Sequence, residues 1–194
     1  MSKLRFAPVG LLLAAIGLTA VPAMVGLAPA AYAQALRPEV GKPLQAAQDL
    51  LKNKKYKEAL TKLHELDSVP GKTPAEIYNI EFTRASAASQ AGDYSTAVKS
   101  YEAVLNSGKL PASQQVTVLQ ALGSYSYQLH DYPKTISYVS RYLKEGGTDP
   151  QMRALLTQTY FQSGDYAQVM KEVQAQVQAD EKAGRAPPEQ SLQM

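Results

Sequence analysis

The 194-residue chain has no cysteine and no tryptophan, and only two histidines and three phenylalanines. Without cysteine there is no disulfide, no thiolate nucleophile, no sulfur ligand for zinc and no N-terminal cysteine to carry lipid. The histidines, His64 and His130, lie far apart, and neither has a second histidine at a metal-ligand spacing. No Gly-x-Ser-x-Gly elbow, Walker loop or dinucleotide-binding glycine pattern is present. Acid pairs such as Asp180/Glu181 fall on helical faces, where solvation is the ordinary role. The residues point away from an enzyme, a metal site or a cofactor. Strong charge is missing too. The formal net charge of +3 includes Lys3 and Arg5, and without them it is about +1, which gives no reason to invoke nucleic acid.

What is present begins with an almost uncharged run from Phe6 to Ala35 behind Met-Ser-Lys-Leu-Arg. A basic start, an apolar core from Leu11 to Gly26 and the small-residue tail Ala28-Pro29-Ala30-Ala31-Tyr32-Ala33 read as a secretory signal peptide over 1–33. Cleavage after Ala33 leaves Gln34 first, with Ala30 and Ala35 as other cleavage sites. The rival is an uncleaved anchor, since the stretch is long enough to span a bilayer, although Pro22 and Pro29 interrupt it. Export without disulfides suggests a bacterial periplasmic protein.

The remainder is organised by a repeated tripeptide: Lys54-Lys55-Tyr56, Gly92-Asp93-Tyr94, His130-Asp131-Tyr132 and Gly164-Asp165-Tyr166, with tyrosines 38, 38 and 34 residues apart. A period in the thirties predicts a stack of supersecondary units. Each tyrosine opens a helically spaced run, such as Ala97, Tyr101, Val104 and Leu105 after Tyr94. A second helical run precedes each one: Leu44–Lys52, Ile77–Ala91, Val116–Leu129 and Leu155–Ser163. The aspartates predict N-caps, and the glycines a left-handed exit from the preceding helix. Small residues nine places before the tyrosines (Ala47, Ala85, Gly123, Thr157) predict close helix approach. Thr73-Pro74-Ala75-Glu76 predicts a capping box, and Gly146-Gly147-Thr148-Asp149-Pro150 a stop followed by a start. Arg37–Pro43 reads as a linker, and Asp67–Lys72 as a loop. Arg84, if buried, needs a carboxylate, and Glu81 or Glu102 is at hand. Tyr94, Tyr101, Tyr132, Tyr142 and Tyr166 read as core and turn residues.

From Pro38 to Gly184 the chain resembles the tetratricopeptide repeat family. The resemblance rests on Ala85 and Gly123, the Asp-Tyr turns, Ala59 and Ala97 after them, and Pro111 and Pro150 near unit ends. It departs from the pattern at Arg84, Thr135 and Val169. The resemblance implies an all-α, right-handed solenoid of about four antiparallel helix pairs over 34–184, with a further helix or truncated tail over 185–194. It implies a concave groove lined by the first helix of each pair, here by Asn79, Phe82, Ser86, Thr117, Gln120, Ser124, Tyr127, Gln158, Phe161 and Gln162. Those side chains are uncharged, three are aromatic, and they suit a peptide or helix of a partner protein. The basic carboxylate clamp of chaperone-binding members is missing, because Leu44, Gln48 and Phe82 stand in its place. The expectation is a binding scaffold without catalysis. The other readings are a subunit of an envelope complex, stacking its open C-terminal edge on more repeats or another copy, and the repeat portion of a larger enzyme.

Overall fold

The computed structural model describes residues 36–182 and Gly184. The signal-peptide reading, its cleavage site and the 185–194 tail therefore lie outside the described residues. Those described form eight α-helices and no strand: α1 (Pro38–Lys52), α2 (Tyr56–His64), α3 (Pro74–Ala91), α4 (Tyr94–Asn106), α5 (Ala112–Gln128), α6 (Tyr132–Lys144), α7 (Pro150–Gln162) and α8 (Tyr166–Lys182). Every helix packs against the next in sequence, and α1 also meets α3 and α5 meets α7.

The four tyrosine corners share one backbone geometry. Lys54, Gly92, His130 and Gly164 all adopt a left-handed φ, between 57° and 76°. The N–H of the following residue then reaches back to a carbonyl of the departing helix, 2.9 Å each from Lys55 to Leu50, Asp93 to Ala88, Asp131 to Ser126 and Asp165 to Tyr160. That is a six-to-one C-terminal closure. Asp93, Asp131 and Asp165 then accept from the N–H of Thr96, Lys134 and Gln168 at 3.1, 3.1 and 3.2 Å. Lys55 takes the same place in the first corner and makes no side-chain cap.

Apolar burial runs in three clusters along the chain. Val40, Leu44, Ala47, Ala59, Leu63, Leu66, Ile80 and Ala87 make the first. The second is centred on Tyr78, Tyr101, Val104 and Leu122, and the third on Leu119, Val139, Tyr142, Met152 and Leu156. Leu60 touches both of the first two, and Leu105 and Tyr138 both of the last two. The predicted close approach is clearest at Gly123, where an added Cβ would sit 2.6 Å from Val139 Cγ2 on α6 and 3.3 Å from Met152 Cε on α7.

Some of these expectations are corrected and others refined. Residues 38–43 are not a linker: Pro38 occupies the first turn of α1, where its missing N–H has no intrahelical partner to lose. Pro43, further in, forfeits one backbone hydrogen bond. The α-helix from Tyr56 ends at His64 and tightens to a 3-10 turn over Glu65–Ser68, which buries Leu66. The Lys72 ammonium donates to the carbonyls of Leu66, Asp67 and Val69 at 2.8, 3.1 and 2.7 Å, closing that end. Arg84 pairs with the expected Glu81 at 3.4 Å and is hydrogen-bonded in addition to Asp67, while Glu102 accepts from Lys134 at 2.8 Å and Tyr138 at 2.6 Å. Tyr166 stands at its turn, as expected, but is exposed rather than part of the core.

The capping box forms, and it does more than cap. The Glu76 carboxylate accepts from the Thr73 N–H at 2.8 Å, from Arg37 Nε and Nη2 at 3.0 Å each, and from the Arg37 N–H at 3.2 Å. A buried carboxylate is tolerable when its oxygens are this fully occupied. The bond to the Arg37 side chain, followed by the Thr73 N–H, holds its pKa down from 4.5 to about 2. A carboxyl depressed in the folded state stabilises it above the unfolded value and loses that contribution as pH falls through the folded one. Acid titration of stability should therefore show a component lost between about pH 4.5 and 2, and Glu76→Gln should remove it. An unchanged acid profile in the variant would contradict the Arg37–Glu76 clamp.

Candidate functional site

The predicted groove residues lie on α3, α5 and α7, and their surroundings differ. On α3, Asn79 is half-buried and donates to the Ala75 carbonyl at 2.8 Å. Phe82 is half-buried and stacks on Tyr78 with ring centroids 6.0 Å apart. Ser86 is buried, which leaves it little to offer a ligand.

On α5, Thr117, Gln120, Ser124 and Tyr127 are half-buried. Gln120 Nε2 donates across to Asp149 Oδ2 at 2.8 Å, and the Ser124 hydroxyl lies 3.8 Å from Met152 Sδ. Both are engaged at the start of α7. Tyr127 packs at a tilt against Tyr132, with centroids 6.0 Å apart. Burial pushes its phenol up, and the neighbouring Tyr132 adds to that.

On α7, Gln158 is half-buried and its Oε1 is enclosed without a hydrogen-bond partner. Phe161 is 54 % exposed, Gln162 is exposed, and the Phe161 ring meets Tyr166 edge-on at 5.6 Å. The structure thus joins the α5 set to α7. Among the described residues, no hydrogen bond or ring contact ties the α3 set to either.

The shared property of these faces is electrical neutrality. The seventeen residues of α5 include no charged side chain, and α7 carries only Arg153. Arg153 is paired with Glu172 at 3.3 Å. The α3 ions are likewise engaged: Glu76 with Arg37, Arg84 with Asp67 and Glu81, and Glu81 also with the Ser100 hydroxyl at 2.6 Å. A surface of this kind recognises by amide and hydroxyl hydrogen bonds and by aromatic contact. Among the described residues no three His, Asp or Glu side chains gather to hold a metal.

Sequence reasoning missed parts of two surfaces. One is at the α7–α8 corner, where Tyr166 and Met170 are exposed beside Phe161, itself a predicted groove residue. The other is a shallow depression lined by Lys54, Lys55, Tyr56, Lys57, Glu58, Gln90 and Ala91 at the α1–α2 corner. The signal for both was position, since each belongs to a terminal copy of the repeated corner. No described helix is long and apolar enough to cross a membrane. Neither the protein-family models nor the curated proteins compared with the chain give a match.

Proposed function

We propose that the chain is a tetratricopeptide-like scaffold of about four helix pairs, wound as a right-handed solenoid and exported to the periplasm. It holds a peptide or helix of a partner protein against the faces of α3, α5 and α7, by shape and uncharged side chains rather than by catalysis. The observation that carries this reading is the recurrence of one corner at four places, with matching left-handed residues and six-to-one closures. Identical corners at intervals of one repeat bring the first helices of successive pairs to a common side. The α1–α3 and α5–α7 contacts accord with that placement.

Neutrality sets the test. Partner proteins captured with the chain from envelope extract, without crosslinker, should be recovered at high as well as low salt, because uncharged contacts are weakly screened. Replacing Phe82, Tyr127 and Phe161 by alanine should abolish that recovery while helicity is retained. Undiminished recovery by the folded triple variant would remove the groove from the account. N-terminal sequencing of the same material should begin at Gln34, and an intact Met1 would remove export by cleavage.

A further inference from the structure

The third and fourth pairs carry one pattern at their corners. Five and four places before the corner tyrosine stand an aromatic residue and a glutamine: Tyr127 and Gln128 before Tyr132, Phe161 and Gln162 before Tyr166. In the second pair those places hold Ser89 and Gln90, and in the first Leu51 and Lys52. The aromatic residue meets its corner tyrosine at an angle, with ring centroids 6.0 Å apart and planes at 44° for Tyr127–Tyr132, and 5.6 Å and 74° for Phe161–Tyr166. Angled rings leave faces that the partner ring does not cover. Tyr127 and Tyr132 are half-buried, and Phe161 and Tyr166 are more than half exposed. Gln128 and Gln162 are exposed, and neither side chain has a hydrogen bond to another described residue.

That combination selects a ligand backbone. Open aromatic faces take flat apolar groups, and the amide N–H groups beside them need carbonyl acceptors. An α-helix uses its own carbonyls internally, and a strand places same-face side chains about 6.8 Å apart. A polyproline II segment has no internal hydrogen bonds, so its carbonyls are free, and its three-residue turn repeats one edge every ~9 Å. The helices carrying the two aromatic sites, α5 and α7, touch, and touching helices lie about 8–10 Å apart. One turn of such a ligand therefore spans one repeat. Charge sets a further condition. α5 has no charged side chain, and the one ion of α7, Arg153, is paired with Glu172. Charged ligand side chains find no free counter-ion on these two helices.

We propose that the partner segment held in the groove is an uncharged, proline-rich peptide in the polyproline II conformation. Prolines one turn apart lie on the Tyr127–Tyr132 and Phe161–Tyr166 rings, as prolines do in other aromatic-lined grooves. The peptide carbonyls between them accept from Gln128 Nε2 and Gln162 Nε2. This inference deepens the groove reading and rests on it. It adds Gln128, Tyr132 and Tyr166 to the groove and places recognition on the third and fourth pairs, not on α3.

The test is fluorescence anisotropy of a labelled peptide of Ala-Pro-Pro triplets, titrated with the full purified chain. Binding should saturate, and a Gly-Ser peptide or an alanine-rich helical peptide of equal length should bind at least ~10-fold more weakly. Gln128→Glu/Gln162→Glu should weaken the proline peptide at least ~10-fold, because both donors become acceptors. Phe161→Leu should weaken it about as much, since it keeps apolar bulk but loses the flat ring. All three positions are exposed, and circular dichroism of each variant monitors the fold. No binding up to about 1 mM, equal binding of the Gly-Ser or helical peptide, or indifference to either variant would overturn the inference. The groove is judged separately, by partner recovery with Phe82, Tyr127 and Phe161 replaced. A partner lost from that variant, yet not displaced from wild type by excess proline peptide, would leave the groove standing and overturn this inference alone.

Discussion

Gly147→Ala should destabilise the protein by about 3 kcal/mol, more than any other single-methyl change, through overpacking and a displaced ring. An added Cβ there would press against Cε1, Cζ and Cε2 of the Tyr142 ring, far inside van der Waals contact. That ring is buried at the foot of α6, and its hydroxyl accepts from the Asp149 N–H at 3.0 Å. It therefore cannot give way without releasing the N-cap residue of α7, whose carboxylate receives the Gln151 N–H and the Gln120 amide. Gly146, its neighbour, is constrained differently. It has φ 91° and open space around its Cα, so Gly146→Ala should cost only about 1 kcal/mol of backbone strain. Urea unfolding of the two variants measures the difference. If Tyr142→Leu is combined with Gly147→Ala, the costs should be strongly non-additive, because the smaller side chain makes the room that alanine needs. Additive costs would show that the Tyr142 ring is not the obstacle.

Leu119→Ala and Leu122→Ala should each cost about 3 kcal/mol, within the usual 2–5 for a buried leucine, but should loosen different ends of the molecule. Both side chains are fully buried on α5. Leu122 packs in the cluster with Tyr78, Tyr101 and Val104, whereas Leu119 packs in the one with Val139, Met152 and Leu156. In a stack where units touch only their neighbours, weakening one interface lowers local stability on that side. Hydrogen exchange in Leu119→Ala should accelerate in α6–α8 and leave α1 and α2 at their wild-type rates. In Leu122→Ala, acceleration should extend into α3 and α4. A uniform rise across all eight helices in both variants would mean that the chain unfolds as one globular unit.

The corners were legible in the sequence because their chemistry is local. An aspartate cap, a glycine or a tolerated left-handed residue, and a small side chain nine positions earlier are each read within a dozen residues. Lys54 and His130 show how firmly the fold imposes that corner, since both accept φ near 60° without being glycine. The misreadings have physical causes. Arg37–Pro43 was read as a linker, yet Pro38 in the first turn of α1 loses nothing, and Pro43 gives up a single hydrogen bond.

The long-range polar contacts were not legible, because tertiary register decides them. Arg37 finds Glu76, Lys134 finds Glu102, and Tyr138 finds Glu102, at separations of 39, 32 and 36 residues. Those separations are close to one repeat, and searching at that offset would have found them. For the candidate groove, residue type and helix were readable but availability was not. Ser86 is buried, and Gln120 is held by Asp149, which only the packing of α5 on α7 decides. Tyr166 was read by analogy with Tyr94, and the analogy fails because nothing follows α8 to cover it among the described residues.

The proposed repeat array requires an elongated stack, and small-angle X-ray scattering of the monomer at low concentration tests that requirement most directly. A compact globule of about 150 residues has a radius of gyration near 15 Å. The account predicts a value clearly above that, with a pair-distance distribution skewed towards long distances as for a curved rod. A symmetric distribution with a radius of gyration near ~15 Å would contradict it.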